Sequence, residues 1–355
     1  MLEKKKVLVI DDSAFMRRVI SDIINSDHRF IVVGTANNGE EGLKKIQYLN
    51  PDVITLDVEM PSMNGLEMLK VLMKTNPKPV VVISASTKED ADTTIRALGL
   101  GAVDFITKPK NIFKMNEEEI KTHILEKIFI ASKIHNFPSR SEKKTEKYVA
   151  RNSVLASPSS KLKKVVAIGT STGGPRALQE VLPYLPKALP ASYVIVQHMP
   201  PGFTKSLAER LNTLSNITVK EAEDKDILYP GVAYIAPGDY HILIEKANNL
   251  SDYWIRLSSS PAVGGHRPSV NVMLNSLAET NLNNIIGVIM TGMGSDGCEG
   301  MKKLKTKNNA FIIAQDEKTC VVYGMPKAVV ESGIANVVVP IQQIAKEIVK
   351  AVEVF

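Results

Sequence analysis

The sequence predicts two doubly wound, mostly parallel α/β domains, the first of (βα)5 type, joined by a polar linker. Three observations carry this. Short apolar runs alternate with stretches of helical apolar spacing through both halves of the chain, the pattern of parallel strands covered on both faces by crossover helices. Between the halves, from about His135 to Leu162, the chain is rich in serine and lysine and loses that periodicity, as linkers do. Its length of 355 residues exceeds one ordinary domain and suits two. The expected divisions are residues 1–130, a basic linker at 131–162 and a second domain at 163–355.

In the first half, Val7–Ile10, Ile31–Gly34, Val53–Leu56, Val80–Ile83 and Val103–Ile106 read as strands, each followed by a helix candidate. Phe15, Met16, Val19, Ile20, Ile23 and Ile24 recur at helical spacing after the first strand. Glu40–Leu49, Leu66–Met73, Asp90–Leu100 and a stretch from about Glu117 supply the other helices. In the second half, Val165–Ile168, Val194–Val196, Val232–Ile235, Ile285–Met290, Phe311–Ala314 and Val337–Val339 read as strands. Arg176–Leu185, Thr204–Leu211, Val270–Leu277 and Ile341–Val352 read as helices. His241–Ile244 and Trp254–Leu257 flank the polar stretch KANNLSD and predict a small hairpin.

Composition narrows the function class. The chain is 44% hydrophobic, enough for ordinary cores and against wholesale disorder. No run approaches the roughly 20 apolar residues of a membrane span, and the N-terminal apolar run is too short for an export signal. The two cysteines, Cys298 and Cys320, suggest neither a disulfide framework nor a zinc site and suit a reducing cytoplasm. The formal net charge of +6 is matched by the segment Pro138–Lys164 alone, where eight basic residues face two acidic ones. The positive excess therefore reads as a solvated tether, and no nucleic-acid partner is expected.

Chemistry-bearing residues of the first half gather at strand ends. Asp11 and Asp12 follow the first strand, Asp57 the third, Ser84 the fourth, and Lys108 follows the fifth. In a parallel sheet these are carboxyl ends, where ligands bind. Taken singly, the first pair could cap a helix and Asp57 could be a turn residue. Together, three carboxylates repel unless a cation joins them, and an oxygen-only donor set suits Mg²⁺. A hydroxyl and an ammonium beside them can meet phosphoryl oxygens, so the set predicts phosphoryl transfer to Asp57. VLVIDDS, VITLDVEMPSMNGLE, VVVISAST and GAVDFITKP together resemble a response-regulator receiver domain. The resemblance implies a phosphoacceptor at Asp57, a divalent metal at Asp11, Asp12 and Asp57, a switch hydroxyl at Ser84 and a phosphate-sensing lysine at Lys108. It places the aromatic switch on Phe105, where many receivers have tyrosine.

In the second half, AIGTSTGGP follows a strand and precedes a helix. It lacks the lysine of a phosphate-binding loop and the spacing of a dinucleotide fingerprint. It does match G-x-S-x-G through Gly169, Ser171 and Gly173, which alone is weak, since small residues before a helix also make an ordinary turn. A serine on a sharp strand-to-helix turn is a candidate nucleophile if a base and an acid join it. His198 in VIVQHMPPGF is the leading base, with His266 in GGHRPS the other histidine in a polar, glycine-rich setting; Asp296 in MTGMGSDG could orient the imidazole. These stretches, with VAYIAPGDYH and AQDEKTCVVYGMPKAV, resemble the catalytic domain of the chemotaxis protein-glutamate methylesterases. The resemblance implies the triad Ser171, His198 and Asp296, an oxyanion hole using the backbone amide of Met293, and Thr172 beside the nucleophile. It also implies a cytoplasmic enzyme recruited to membrane receptor arrays. Its expected partners are methyl-accepting chemotaxis receptors and a histidine kinase as phosphodonor. In that family the unphosphorylated receiver obstructs the catalytic site. Ester hydrolysis itself is expected to need no cofactor. A receiver-controlled DNA-binding regulator and a non-catalytic receptor adaptor remain the alternatives.

Overall fold

The computed structural model describes residues 3–85, 87–108, 117–134, 162, 164–246 and 253–354. The chain divides into two compact units, Met1–Arg140 and Ser141–Phe355. From 135 to 161 the expected linker lies outside the described residues, as do residues 247–252 of the expected hairpin turn.

Among the described residues the first unit alternates strand and helix: β1 (Lys5–Ile10), α1 (Ala14–Asn25), β2 (Phe30–Ala36), α2 (Gly39–Leu49), β3 (Val53–Asp57), α3 (Gly65–Thr75), β4 (Val80–Ser84), α4 (Lys88–Leu100), β5 (Asp104–Thr107) and α5 (Glu117–Ser132). The strands form a parallel sheet in the order β2-β1-β3-β4-β5. Three strands, β1, β3 and β4, begin or continue as buried Val/Ile/Leu runs because both sheet faces are covered. Helix starts follow from local chemistry. The side chains of Ser13, Asn38, Asn64 and Thr87 each accept a hydrogen bond from a first-turn amide, satisfying donors that the helix cannot. The strand order reverses at β1, between β2 and β3. Loops leaving β1 and β3 therefore diverge and open a crevice at their carboxyl ends.

The second unit holds β6 (Lys164–Thr170), α6 (Gly174–Val181), β7 (Ala191–Gln197), α7 (Phe203–Leu214), β8 (Thr218–Glu221), β9 (Val232–Ile235), β10 (His241–Lys246), β11 (Tyr253–Ser258), α8 (Val270–Ala278), β12 (Ile285–Ile289), α9 (Cys298–Asn308), β13 (Phe311–Gln315), α10 (Met325–Glu331), β14 (Val337–Val339) and α11 (Ile341–Val354). Its seven-stranded sheet runs β14-β13-β12-β6-β7-β9-β8, every pair parallel. β10 and β11 form the expected antiparallel hairpin apart from it. The core is apolar and continuous, with Val165, Ala167, Val194, Ile289 and Ile312 from the sheet packed among Met273, Leu274 and Leu277 of α8. Here the order reverses at β6, flanked by β7 and β12, so the crevice opens where Ser171 leaves the sheet.

Three elements escape the sequence pattern. β8 reads TVKE and lies at the sheet edge, so only Val219 of its four residues is fully buried. α9 reads CEGMKKLKTKN, its buried apolar residues being Cys298, Met301 and Leu304. α10 is a short MPKAVVE. The helix expected at Arg176–Leu185 instead ends at Val181 and continues as one 3₁₀ turn, Leu182–Tyr184. Pro183 has no amide to donate and its ring crowds the preceding turn.

α3 starts on a reciprocal cap: Asn64 Oδ1 accepts the Glu67 amide at 2.9 Å and Glu67 Oε2 accepts the Asn64 amide at 3.3 Å. Asn64→Ala is expected to lower first-unit stability by about 1 kcal/mol and Asn64→Ser by only a few tenths, measured by urea denaturation.

Candidate active site and phosphoacceptor site

Ser171 is the first residue beyond β6. Its amide donates to Thr291 O at 3.0 Å and its carbonyl accepts the Gly174 amide at 2.8 Å, which closes a tight turn directly into α6. Gly173 makes that turn with φ at 78°, a backbone conformation that disfavours any side chain. A Cβ on Gly174 would stand 2.0 Å from Gln197 Oε1. The glycines therefore answer to geometry: the strand must turn into a helix within three residues while packed against its neighbours.

His198 leaves β7 beside it. Thr170 pairs with Gln197 across the two parallel strands, so Ser171 and His198 are the next residues off adjacent strand ends, and the His198 amide donates to Thr170 O at 3.2 Å. Gln197 joins the two turns. Its side-chain oxygen accepts Thr170 Oγ1 at 2.6 Å and its amide nitrogen donates to Ser171 O at 3.0 Å and His198 O at 3.1 Å. Met293 follows Gly292, at which an added Cβ would stand 2.8 Å from Ser171 Cβ. Thr291 ties this loop to the serine turn by donating its hydroxyl to Thr172 O at 2.9 Å.

His198 Nε2 lies 2.9 Å from Asp296 Oδ2. That carboxylate has three further donors: Ser269 Oγ at 3.0 Å and Asn271 N at 2.9 Å on Oδ1, and Val270 N at 2.7 Å on Oδ2. Ser269 is the N-cap of α8, so the carboxylate sits on the positive end of that helix. Burial alone pushes the Asp296 carboxyl up, but the His198 N–H and the Asn271 and Val270 amides hold it below its ordinary range. An ionised carboxylate only accepts, so Nε2 carries the imidazole proton and Nδ1 keeps its lone pair. Nδ1 is buried and has no hydrogen-bond partner among the described residues. His266 does not touch Asp296 in the same way; its ring stacks on that of His198, centroids 3.8 Å apart and planes within 10°. A buried histidine, His241, supports the assembly from behind, accepting the Ser269 amide on Nδ1 at 3.2 Å while Nε2 faces Pro261 O at 3.1 Å.

In the first unit, Asp11, Asp12 and Asp57 each offer a carboxylate oxygen within 4.8 Å of the others. Lys108 Nζ donates to Asp57 Oδ2 and stands 3.5 Å from Asp11 Oδ2. Asp57 Oδ1 accepts the Glu59 amide at 3.2 Å. Burial, with a contribution from Asp11, pushes the Asp57 carboxyl up to about 6 against the pull of Lys108. Burial lowers Lys108, but Asp57 and Asp11 outweigh it and hold the ammonium above its ordinary value. Three carboxylates thus face the Lys108 ammonium, and the buried Asp11 Oδ2 lacks a hydrogen-bond donor among the described residues. Hard oxygen ligands in that state fit a small divalent cation. Ser84 is buried; its hydroxyl donates to Ala85 O at 3.1 Å and accepts from Thr94 Oγ1 at 2.7 Å. The buried Phe105 ring lies 5.0 Å below Lys127 Nζ.

Comparison with known proteins identifies the family of each unit. Residues 166–348 match the family model for CheB methylesterase, and residues 7–120 match that for the response regulator receiver domain. A protein-glutamate methylesterase/protein-glutamine glutaminase of Halalkalibacterium halodurans is 48% identical, covering 97% of each chain. The chain belongs to the CheB methylesterase family. A relative of the same name in Pyrococcus horikoshii is 46% identical over 99% of this chain and 94% of its own. The solved catalytic domain of the Thermotoga maritima CheB methylesterase is 47% identical, with a TM-score of 0.51 over 54% of this chain and 98% of that one. This family member carries a receiver and a catalytic domain on one chain.

The structure sets His198 and Asp296 in contact and puts Ser171 on the adjoining turn; Thr172 and Met293 lie on the loops around it. Asp11, Asp12, Asp57 and Lys108 converge, while the Ser84 hydroxyl is bonded within β4 and α4 and Phe105 packs beside Lys127. Sequence reading missed Gln197, Ser269, His241 and Thr291. Only Ser269, directly before an apolar helical run, carried a visible signal, that of an N-cap.

Two outcomes follow from the charge states. A depressed carboxylate stabilises the fold above its unfolded value near 4, and that stability is lost as pH falls through the folded value. Asp296→Asn should therefore lower second-unit stability at pH 7, with the gap closing as pH falls below 4, read by calorimetry across pH. A raised carboxylate works in the opposite sense: in metal-free protein Asp57 should titrate near pH 6, followed by carboxyl ¹³C NMR. Its ionisation costs stability between its unfolded and folded values, so Asp57→Asn should raise the metal-free thermal midpoint at pH 7.5.

Proposed function

We propose that this chain is a phosphorylation-activated serine hydrolase of chemotaxis. It removes methyl groups from glutamate γ-methyl esters on the cytoplasmic part of methyl-accepting receptors, releasing methanol, and deamidates particular receptor glutamines. One observation carries the catalytic reading: Asp296 fixes the Nε2–H tautomer of His198, leaving a buried Nδ1 lone pair at the strand end next to Ser171.

A serine hydroxyl is a poor nucleophile until a base takes its proton. His198 Nδ1 removes the proton as Ser171 Oγ attacks the ester carbonyl. Asp296 stabilises the imidazolium so formed and keeps the ring oriented. Backbone amides at Thr172 and Met293 receive the developing oxyanion, near the start of α6 where helix amides lack internal partners. Nδ1–H then protonates the departing methoxide, and methanol leaves. In the second half, His198 takes a proton from water, hydroxide attacks the glutamyl-serine ester, and Ser171 regains its proton as glutamate departs. With glutamine the same steps release ammonia.

Control lies in the receiver. Asp57 accepts a phosphoryl group from a chemotaxis histidine kinase. Mg²⁺ held by Asp11, Asp12 and Asp57 would offset charge on the phosphoryl oxygens. Lys108 is placed to bind the acyl phosphate, the Ser84 hydroxyl to turn toward it, and Phe105 to follow by repacking, a two-state response to a local charge change. The domain divisions that fit this reading are a receiver at 1–130, a basic tether at 131–162 and the hydrolase at 163–355. Among the described residues no helix is long and apolar enough to cross a membrane. The chain acts in the cytoplasm and reaches membrane arrays through its receptors. The hydrolase reading is favoured over a DNA-binding regulator or an adaptor because an oriented histidine–carboxylate pair beside a serine turn has no use in either.

Methanol release from methylated receptor membranes tests it. Ser171→Ala should abolish release, and His198→Gln should cut it by about 10³-fold or more. Asp57→Ala should keep the basal rate and lose acceleration by acetyl phosphate. Undiminished release by Ser171→Ala would reject the assignment.

A further inference from the structure

We propose that His266 is a positioning residue for His198, an inference that rests on the hydrolase reading above. One hydrogen bond, Nε2 to Asp296, anchors the His198 ring. A single in-plane bond defines an axis and leaves the ring able to swivel about it, which would displace Nδ1. The stacked His266 ring, 3.8 Å away and within 10° of parallel, blocks that swivel from one face. Bond and stack together fix the base in the two directions that proton transfer needs.

The loop that carries His266 is built to present a ring. Val263 and His266 exchange backbone hydrogen bonds at 3.0 and 3.1 Å around Gly264 and Gly265, both at positive φ. Arg267 ties the loop down, donating to Ser259 O at 3.0 Å, Ser260 O at 3.3 Å and Asp239 Oδ1 at 3.3 Å. Three residues beyond His266 comes Ser269, which with Val270 and Asn271 holds Asp296. One short segment therefore grips both the carboxylate partner of the base and the face of the base itself.

Charge favours the same role. Burial and the neighbouring His198 lower the His266 pKa to about 4, with Asp296 pulling the other way. His266 therefore stays neutral at pH 7 while His198 gains and loses its proton. Against a neutral ring the transient imidazolium meets a π face; against a second cation it would meet repulsion. The same low basicity makes His266 a poor base in its own right.

The test uses full-length protein, methylated receptor membranes and methanol release, with Ser171→Ala run in parallel. His266→Leu fills the volume without a flat face and should lower kcat about ten- to a hundredfold with KM and thermal midpoint little changed. His266→Phe keeps the flat face and should recover most of kcat. Wild-type kcat in His266→Leu, or equal loss in folded His266→Leu and His266→Phe, would overturn the stacking role while Ser171→Ala remains inactive. Release by Ser171→Ala would instead remove the hydrolase reading and this inference with it.

Discussion

The catalytic unit is organised around one buried carboxylate. Asp296 would be costly to ionise in an apolar interior without donors. It obtains four, from the His198 ring, the Ser269 hydroxyl and two amides at the start of α8. Because those donors come from a helix terminus and a strand end, the carboxylate cannot shift without moving secondary structure. It thereby fixes three things at once: the tautomer of His198, the direction of its ring, and the register of the loop that brings His266 onto the ring face. His241 extends the same bracing one layer deeper through the Ser269 amide.

Both units place their chemistry by the same topological device and use it to opposite electrostatic ends. In each, the first strand in sequence lies inside the sheet with neighbours reached in opposite directions, so the crevice opens at its carboxyl end. The receiver crevice holds three carboxylates against one lysine and is left short of positive charge. That shortage suits a site that must draw in a cation and a phosphoryl group. The catalytic crevice has its carboxylate fully matched by donors. It leaves the His198 Nδ1 lone pair without a partner among the described residues, as suits a site that moves one proton back and forth.

The alternation of apolar runs with helical spacing was legible because strands buried on both faces tolerate few polar residues, and β1, β3 and β4 of the receiver fall where Val, Ile and Leu cluster. Legibility failed where burial is partial. The edge strand at Thr218–Glu221 needs only one buried side, and the helix Cys298–Asn308 presents several lysines to solvent, so neither shows a strong period. Pro183 marks in the sequence the point where the helix expected to reach Leu185 gives way to a 3₁₀ turn. In the site, the three carboxylates and Lys108 could be grouped because a parallel sheet sends successive strand ends to one edge. Gln197 could not be singled out, since a glutamine at a strand end looks like any other polar residue until its two amide hydrogens are seen to bridge neighbouring turns.

By itself the sequence determined the two-domain α/β architecture, the order of most elements and the set of residues able to do chemistry, because periodicity, turn residues and strand-end position are local properties. Only the tertiary structure decided which of two candidate histidines bonds the carboxylate, which ring nitrogen is left as a base, and that the other histidine lies flat against it. Those choices depend on side chains as many as 98 residues apart in the chain meeting at hydrogen-bond distance, and nothing in the local sequence encodes such a distance.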